Sequence, residues 1–316
     1  MPESRQHSAK VPMDCSGQRL DQVAAQLFAE FSRARLQHWI KSGDLRVDGQ
    51  LVTPRHKLLG AEQLTLNCMV EPTQDEAAAA IDIPIVATDP HFWVINKPAG
   101  LTVHPGAGTT GTTLLNGLLH LDPAQAELPR AGIVHRLDKD TTGLMVVARS
   151  LQAHTALVRD LQRRDMQREY EAVCLGVLTG GGVVSAPIGR HPTQRIRMAV
   201  RANGRPATTH YRVLQRFAHH THLRLQLETG RTHQIRVHMA HLKHPLVGDP
   251  LYGGRQRLPA GIAEDLRSHL QNFPRQALHA VALSFPHPIT REWCHWQTPL
   301  PNDFQALLAA LAQSDD

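Results

Sequence analysis

The sequence predicts an α+β protein with a small N-terminal domain and a larger domain built on a mixed, largely antiparallel sheet. Along the 316 residues, short strand-like runs follow one another and outnumber the helical stretches. Near residues 71–84 the composition shifts to acidic residues, alanine and proline, which is typical of a linker. We therefore predict a disordered leader over 1–15, a compact unit over 16–75, a linker over 76–84 and the larger domain over 85–316.

The composition is that of an ordinary globular chain, with 41% hydrophobic and 20% charged residues. The formal net charge of +6 favours a polyanionic partner, nucleic acid before a membrane surface. The N-terminus has no apolar signal core, and nowhere do 18 apolar residues follow one another. These features predict a cytoplasmic protein that does not bind a membrane.

The N-terminal unit reads as two helices followed by a small sheet. Apolar residues repeat at helical spacing from Leu20 to Leu27, and the segment SRARLQHWIKSG predicts a second helix that stops at Gly43. The pair Asp48 and Gly49 stands between two short alternating segments, which is the signal of a hairpin turn.

This order of elements carries a resemblance. SRARLQHWIKSG leading into DLRVDGQLVTPRHKL resembles the S4 RNA-binding domain, which presents its second helix and the following turn to structured RNA. The resemblance implies four phosphate-contacting positions, Arg33, Arg35, Lys41 and Lys57. A solvated, charged helix face remains the alternative interpretation of the same residues.

The larger domain alternates strands and turns, with four stretches of helical periodicity. The strand-like runs are HFWVINKP, GLMVVAR, REYEAVCLGVL, THYRVLQRF and THLRLQLE, and the helical stretches are GTTLLNGLLHL, LQAHTALVRDLQRR, THQIRVHMAHL and DFQALLAALAQ. No GxGxxG motif follows a strand and no GxxxxGK[ST] motif occurs, so a nucleotide cofactor is not indicated.

One turn of the larger domain, GIVHRLDKDTTGLMVVAR, is unusually rich in charge. Asp138 lies in the connection between two predicted buried strands, so it is both accessible and well supported. Arg136 and Lys139 flank it, and we expect them to keep the carboxylate ionised. Such a group can act as a nucleophile or a base, and a purely structural ion-pair network is the alternative.

The segment HRLDKDTTGL resembles the active-site motif of the RluA-type pseudouridine synthase family. Four further segments agree with that family in order and spacing: INKPAGLTVHPG, REYEAVCLG, LETGRTHQIRVHMAHLKHPLVGDPLYG and QALHAVALSFPHP. The resemblance implies isomerisation of uridine in RNA, in which the base leaves its stack, is detached from ribose C1′, rotates and is reattached through C5. It implies no cofactor and no metal.

The resemblance also implies a role for five residues. Asp138 would be the catalytic carboxylate, as nucleophile or base. Arg136 would enter the RNA stack, and Tyr170 would stack on the displaced uracil. Arg231 would form a salt bridge to Asp138, and Ile235 would pack against the target base.

The likeness extends to family members with an S4 domain ahead of the catalytic domain. It implies 23S ribosomal RNA, free or in the assembling large ribosomal subunit, as the partner, with the helix 69 stem-loop as target and a monomeric enzyme. Two alternatives remain: a non-catalytic ribosome-assembly factor and a synthase that acts on transfer RNA.

Two further patterns bear on binding. Four histidines, His233, His238, His241 and His244, lie within twelve residues, but no cysteine or acid stands at ligand spacing, so RNA contact or helix packing is favoured over a metal site. Residues Thr193 to Arg216 hold six arginines and no acid, which predicts a basic flap over the RNA or, alternatively, a solvated hairpin.

Overall fold

The computed structural model describes residues 3–28, 31, 33–70, 77–105, 111–194, 196–253, 262 and 264–313. The chain forms two compact units. The first comprises Met1–Ala80 and Leu118–Ala131, and the second comprises Ile81–Gly117 and Gly132–Asp316. Residues 118–131, which the sequence places in the larger domain, therefore group with the N-terminal unit.

The first unit contains two helices and a three-stranded antiparallel sheet. Its elements are β1 (Glu3–Lys10), α1 (Leu20–Leu27), α2 (Arg33–Ser42), β2 (Leu45–Val47) and β3 (Gln63–Val70), and the strand order is β1-β3-β2. The apolar faces of the helices pack on the sheet around Leu20, Leu36, Ile40, Leu64 and Leu66, all of which are buried. The two predicted helices are confirmed.

The predicted disordered leader is wrong. Residues Glu3–Lys10 form β1, which pairs along its whole length with β3, from Glu3 opposite Val70 to Lys10 opposite Gln63. The segment ESRQHSAK lacks apolar alternation, so its sequence carries no strand signal. Backbone pairing with a strand some sixty residues away, which local periodicity does not encode, makes it a strand.

The predicted turns of this unit are present. Helix α2 ends at Ser42, and Gly43 follows with φ of 86°, a left-handed conformation that suits glycine at a helix end. Asp48 and Gly49 also have positive φ and connect Val47 to Gln50. The predicted hairpin is limited to the single bridge between Val47 and Gln50, because β2 pairs with β3 instead.

The second unit is built on a nine-stranded mixed sheet and a separate two-stranded hairpin. Its strands are β4 (Ile85–Thr88), β5 (Phe92–Lys97), β6 (Thr142–Ala148), β7 (Gln167–Leu175), β8 (Gly182–Ser185), β9 (Ile188–Arg190), β10 (Met198–Val200), β11 (Thr208–Arg216), β12 (His220–Leu227), β13 (Leu278–Pro286) and β14 (Trp293–Gln297). The order is β4-β5-β6-β13-β7-β12-β11-β8, with β14 beside β13, and β9 pairs with β10. Only the β6–β13 pair is parallel among these strands, so the predicted fold class is confirmed.

Five α-helices accompany these strands. They are α3 (Leu114–Leu121), α4 (Leu151–Arg163), α5 (Gln234–His241), α6 (Glu264–Asn272) and α7 (Asn302–Gln313). The four predicted helical stretches correspond to α3, α4, α5 and α7, and α6 was not predicted. Helices α6 and α7 cover a core that includes Leu266, Leu270, Phe304 and Leu307.

The parallel contact between β6 and β13 brings the two halves of the large sheet together. Gly143 lies at this contact with φ of 115°, and a Cβ atom there would stand 2.3 Å from the carbonyl oxygen of Ala280. Only glycine permits this approach. The loop that precedes β6 is thereby fixed against the centre of the sheet.

Across the described ranges, no helix combines the length and the apolar character that a membrane crossing requires.

Candidate active site

Asp138 lies in the loop that leads into β6, and buried contacts fix this loop. Leu137 beside it is buried. The Nε2 atom of His135 accepts the N–H of Val146 at 3.0 Å. Burial, assisted by the charge of Arg168, lowers the pKa of His135 to about 3, so this histidine stays neutral and keeps that acceptor. The Asp138 carboxylate, 14% exposed, is therefore presented from a rigid turn.

Lys97, the last residue of β5, forms a hydrogen bond to the backbone of the same loop. Its side chain is fully buried, and Nζ donates to the carbonyl oxygens of Pro98, Leu101 and Lys139 at 2.7, 2.9 and 2.8 Å. Burial lowers the pKa of Lys97 to about 7, against the opposing charges of Asp140 and Asp138. Because the Lys139 carbonyl directly follows Asp138, Lys97 fixes the backbone next to this carboxylate.

Arg236, in the first turn of α5, joins Asp138 to a second carboxylate. Its Nη1 donates to Asp138 Oδ2 at 3.0 Å, while Nε and Nη2 donate to the two oxygens of Asp249 at 2.7 and 2.9 Å. Burial lowers the pKa of Arg236, but the bonds and charges of Asp249 and Asp138 outweigh it and raise that pKa. The arginine is permanently charged and its orientation is fixed by a bidentate pair.

Asp249 is itself held by the backbone. Its side chain is completely buried, and Oδ1 accepts the N–H groups of Leu251 and Tyr252 at 2.9 and 3.0 Å. The GDPLYG segment thus forms a tight turn around the carboxylate that fixes Arg236. Charge-assisted bonds of this kind keep the guanidinium in place before any substrate binds.

His233 and Tyr252 complete this side of the site. The N–H of Met198 donates to Tyr252 Oη at 2.8 Å, and the same oxygen lies 2.8 Å from Nδ1 of His233. Burial lowers the pKa of His233, although the charge of Asp138 opposes this. The Nε2 atom of His233 faces Asp138 Oδ1 at 3.9 Å.

Tyr170 and Ile235, the two residues expected to contact the target base, are both buried. Tyr170 is 5% exposed in β7 and Ile235 is 3% exposed in α5. Burial raises the pKa of Tyr170; the charge of Arg168 lowers it and that of Asp138 raises it further. The phenol therefore stays protonated near neutral pH, and Asp138 lies near enough to influence it.

The sequence matches two known protein families. The family described as RNA pseudouridylate synthase matches residues 91–241, and the family described as S4 domain matches residues 18–64. The ribosomal large subunit pseudouridine synthase D of Pseudomonas aeruginosa is 55% identical over 313 residues, covering 99% of this chain and 98% of that protein. The protein of the same description from Escherichia coli O157:H7 is 52% identical over 312 residues, covering 98% of this chain and 96% of the relative.

The chain belongs to the RNA pseudouridylate synthase family. It is an RNA pseudouridine synthase with an N-terminal S4 domain. Among solved structures, human RNA pseudouridylate synthase domain containing 4 superposes with a TM-score of 0.57 at 27% identity, covering 72% of this chain and 93% of that chain. Human RNA pseudouridylate synthase domain containing 1 gives a TM-score of 0.55 at 28% identity, covering 76% and 90%.

The predicted ion pair between Arg231 and Asp138 is wrong. In this synthase Arg231 lies three residues ahead of α5, and its Nε donates to the carbonyl oxygen of Pro206 at 3.0 Å. Helix α5 instead directs Arg236, one residue after Ile235, toward Asp138. The available signal was an arginine inside the apolar run of a buried helix, followed by an acid in the GDPLYG segment.

Three of the other residues predicted to contact RNA are exposed. Arg136 is exposed in the Asp138 loop, and Lys41 and Lys57 are exposed in the S4 unit. The backbones of Arg33 and Arg35 belong to α2, while their side chains lie outside the described part of the structure.

The histidine-rich segment contributes to packing. His238 makes ring-nitrogen contacts of 2.9 Å with Thr209 Oγ1 and the Ala186 carbonyl oxygen, and His244 Nδ1 lies 2.8 Å from the carbonyl oxygen of Leu175. The predicted flap contains β10, which pairs with β9 just ahead of the flap, and Arg195 falls outside the described residues.

Proposed function

We propose that this synthase isomerises uridines of 23S ribosomal RNA, in the helix 69 stem-loop, with Asp138 as the catalytic carboxylate. The observation that carries the proposal is the pair of charge-assisted contacts that join Asp138 to Arg236 and Arg236 to Asp249. The substrate class is supported by relatives described as ribosomal large subunit pseudouridine synthase D, which this chain matches over nearly its whole length.

The reaction requires the uridine to leave its stack. Arg136, exposed beside Asp138, has the flat guanidinium that can enter the space left by the base. Tyr170 then offers its ring to the displaced uracil, and Ile235 offers apolar surface. These three side chains bind and orient the nucleotide so that its C1′ lies against the carboxylate.

Asp138 has two routes to the same isomer. As a nucleophile it attacks C1′ while the electron pair of the C1′–N1 bond leaves with the uracil. As a base it removes a proton from the sugar while the same bond breaks. In both routes the uracil rotates and C5 bonds to C1′. In the first route this displaces the carboxylate from C1′, and in the second the protonated carboxyl group returns its proton to the sugar. The C5 proton then leaves and N1 takes up a proton, with Tyr170 as a candidate for the final proton step. Arg236 holds the carboxylate in its orientation throughout.

The S4 unit grips the surrounding structured RNA. Lys41 and Lys57 contact phosphates, together with Arg33 and Arg35, and so place the target loop without reading its bases. The enzyme acts as a monomer on free 23S RNA or on the assembling large subunit.

Tritium release from RNA labelled at uridine C5 tests the proposal. We expect release from 23S RNA and none from 16S or transfer RNA, and we expect Asp138→Asn to abolish it while Asp140→Asn retains it. Release from transfer RNA alone would contradict the substrate. Tight RNA binding without release from any RNA would indicate a binding factor instead of an enzyme on this substrate.

A further inference from the structure

Arg168 lies on β7, two residues before Tyr170. Side chains alternate along a strand, so Arg168 and Tyr170 share the face of the sheet that carries the candidate active site. Glu169 and Glu171 take the opposite face, where Glu171 pairs with His222 and Arg224. The positively charged Arg168 side chain therefore lies on the same face of the sheet as the candidate active site.

The charge of Arg168 has no counter-ion in the described part of the chain. The residue is 7% exposed, its Nη2 donates to the Leu227 carbonyl oxygen at 3.4 Å, and its Nε is buried without a hydrogen-bond partner. The other deeply buried arginines differ, since Arg236 and Arg275 each bind an aspartate through two nitrogens. An unpaired buried charge is costly, which points to a partner that arrives with the substrate.

The surroundings of Arg168 place it between the catalytic loop and the TGR turn. A Cβ atom on Gly230 would stand 2.8 Å from Arg168 Nη1, so the glycine leaves room for the guanidinium. The charge of Arg168 also lowers the pKa of both His135 and Tyr170, which puts it near the Asp138 loop and near the ring offered to the base.

We propose that Arg168 binds a negatively charged oxygen of the flipped nucleotide, so that the substrate supplies its missing counter-charge. The inference rests on the proposed function. Two kinds of oxygen could fill this role. A phosphodiester oxygen is always negative, whereas the uracil O2 or O4 becomes negative only when the electron pair of the C1′–N1 bond stays on the base. The charge on the base is lost again when C5 uses the pair to bond C1′. The C5 proton then leaves and N1 takes up a proton, so the product base is neutral.

The test compares Arg168→Met with Arg224→Met in the full-length enzyme. Arg224, on β12, pairs with Glu171 on the opposite face of the same sheet and serves as the matched control. For each variant we measure the thermal midpoint by circular dichroism, and kcat and KM by tritium release from 23S RNA.

We expect Arg168→Met to keep or raise the thermal midpoint, because it removes an unpaired buried charge, and to lose activity by about 100-fold or more. Arg224→Met should lower the midpoint and change kcat by less than about threefold. A loss in kcat identifies the uracil oxygen, because that charge exists only during reaction. A rise in KM with kcat retained identifies the phosphate.

A lower midpoint of Arg168→Met with unchanged kcat and KM would overturn the proposal, because Arg168 would then be structural. If Arg168→Met does not fold, Arg168→Lys decides: a folded Lys variant with kcat or kcat/KM lowered by about tenfold supports substrate contact, and wild-type kinetics contradict it. A wild type inactive on 23S RNA contradicts the proposed function, whereas an active wild type with equally active variants contradicts only the role of Arg168.

Discussion

At the scale of single residues, the site depends on one arginine held between two carboxylates. Arg236 is bound to Asp249 through two nitrogens, and the remaining nitrogen reaches Asp138. Asp249 has no exposed surface and is fixed by backbone N–H groups. The orientation of the Asp138 carboxylate is thus set by Arg236, which Asp249 fixes in turn.

Arg236→Gln is expected to lower kcat by about 100-fold or more, because Asp138 loses its charged partner. It should also lower the free energy of unfolding by about 3–5 kcal/mol, since the buried Asp249 carboxylate is left uncompensated. Tritium release and urea unfolding measure the two effects. Arg231→Gln, the matched control from the same segment, should change both little. If Arg231→Gln caused these losses and Arg236→Gln did not, Arg231 would be the functional partner of Asp138.

The buried Lys97 makes the free energy of unfolding depend on pH above about 7. Its folded pKa near 7 lies below the unfolded value of about 10.5, so the unfolded chain binds more protons between these values. The free energy of unfolding contributed by this group therefore increases as pH rises from about 7 toward 10, and the full cost of burial applies below about 7.

Urea unfolding of the wild type and Lys97→Met at pH 7, 8 and 9 measures this dependence. The unfolding free energy of the wild type, relative to that of Lys97→Met, should increase as pH rises. Equal pH slopes would mean that the buried amine keeps its ordinary protonation.

At the scale of elements, the β9–β10 hairpin is connected to the Asp138 loop through the side chains of Tyr252 and His233. Met198 begins β10, and its N–H donates to Tyr252, whose hydroxyl oxygen lies 2.8 Å from Nδ1 of His233. The rings of Tyr252 and His233 also meet edge to face, with centroids 5.7 Å apart. His233 in turn faces Asp138. A displacement of this basic hairpin by RNA would therefore be transmitted to the histidine beside the carboxylate.

Tyr252→Phe keeps the ring but removes the shared hydroxyl. The N–H of Met198 loses its acceptor, and a hydrogen bond of about 1 kcal/mol corresponds to about fivefold faster amide exchange. Hydrogen–deuterium exchange of the peptide that contains Met198 measures this change. Tyr211→Phe, on β11, is the control and should leave that peptide unaffected. Unchanged exchange in Tyr252→Phe would show that the hairpin is held by other contacts.

At the scale of the whole molecule, the modest net charge of +6 is compatible with RNA binding because basic residues collect in particular segments. Lys41 and Lys57 are exposed in the S4 unit, and the β9–β10 hairpin carries Arg190, Arg197 and Arg201 at or beside its strands. Phosphate contacts of this kind release counterions, so their contribution appears in the salt dependence of affinity.

The double variant Lys41→Gln and Lys57→Gln should weaken RNA binding and reduce the slope of log K against log salt by about 1.5, which corresponds to two lost phosphate contacts. Filter binding to 23S RNA at several salt concentrations measures the slope. The isomerisation rate at saturating RNA should remain that of the wild type, since the catalytic groups are untouched. Lys10→Gln, on β1, is the control. An unchanged slope in the double variant would contradict phosphate contact by these lysines.

Local patterns in the sequence determined the mixed sheet, six of the seven described helices and the placing of Asp138 in a supported loop. These features depend on neighbouring residues: apolar periodicity for α4 and α7, Gly43 at the end of α2, and a polar turn between the apolar segments around Asp138. The family resemblance added the residues expected around that carboxylate.

Tertiary structure alone decided three points. Residues Glu3–Lys10 became a strand because β3 supplies their hydrogen bonds. Arg236 rather than Arg231 reached Asp138, because the helix begins at Gln234 and carries position 236 inward. Lys97 and Asp249 became parts of the site through contacts across 42 and 13 residues of sequence. Charge pairing depends on distance in space, which a linear pattern of residues does not contain.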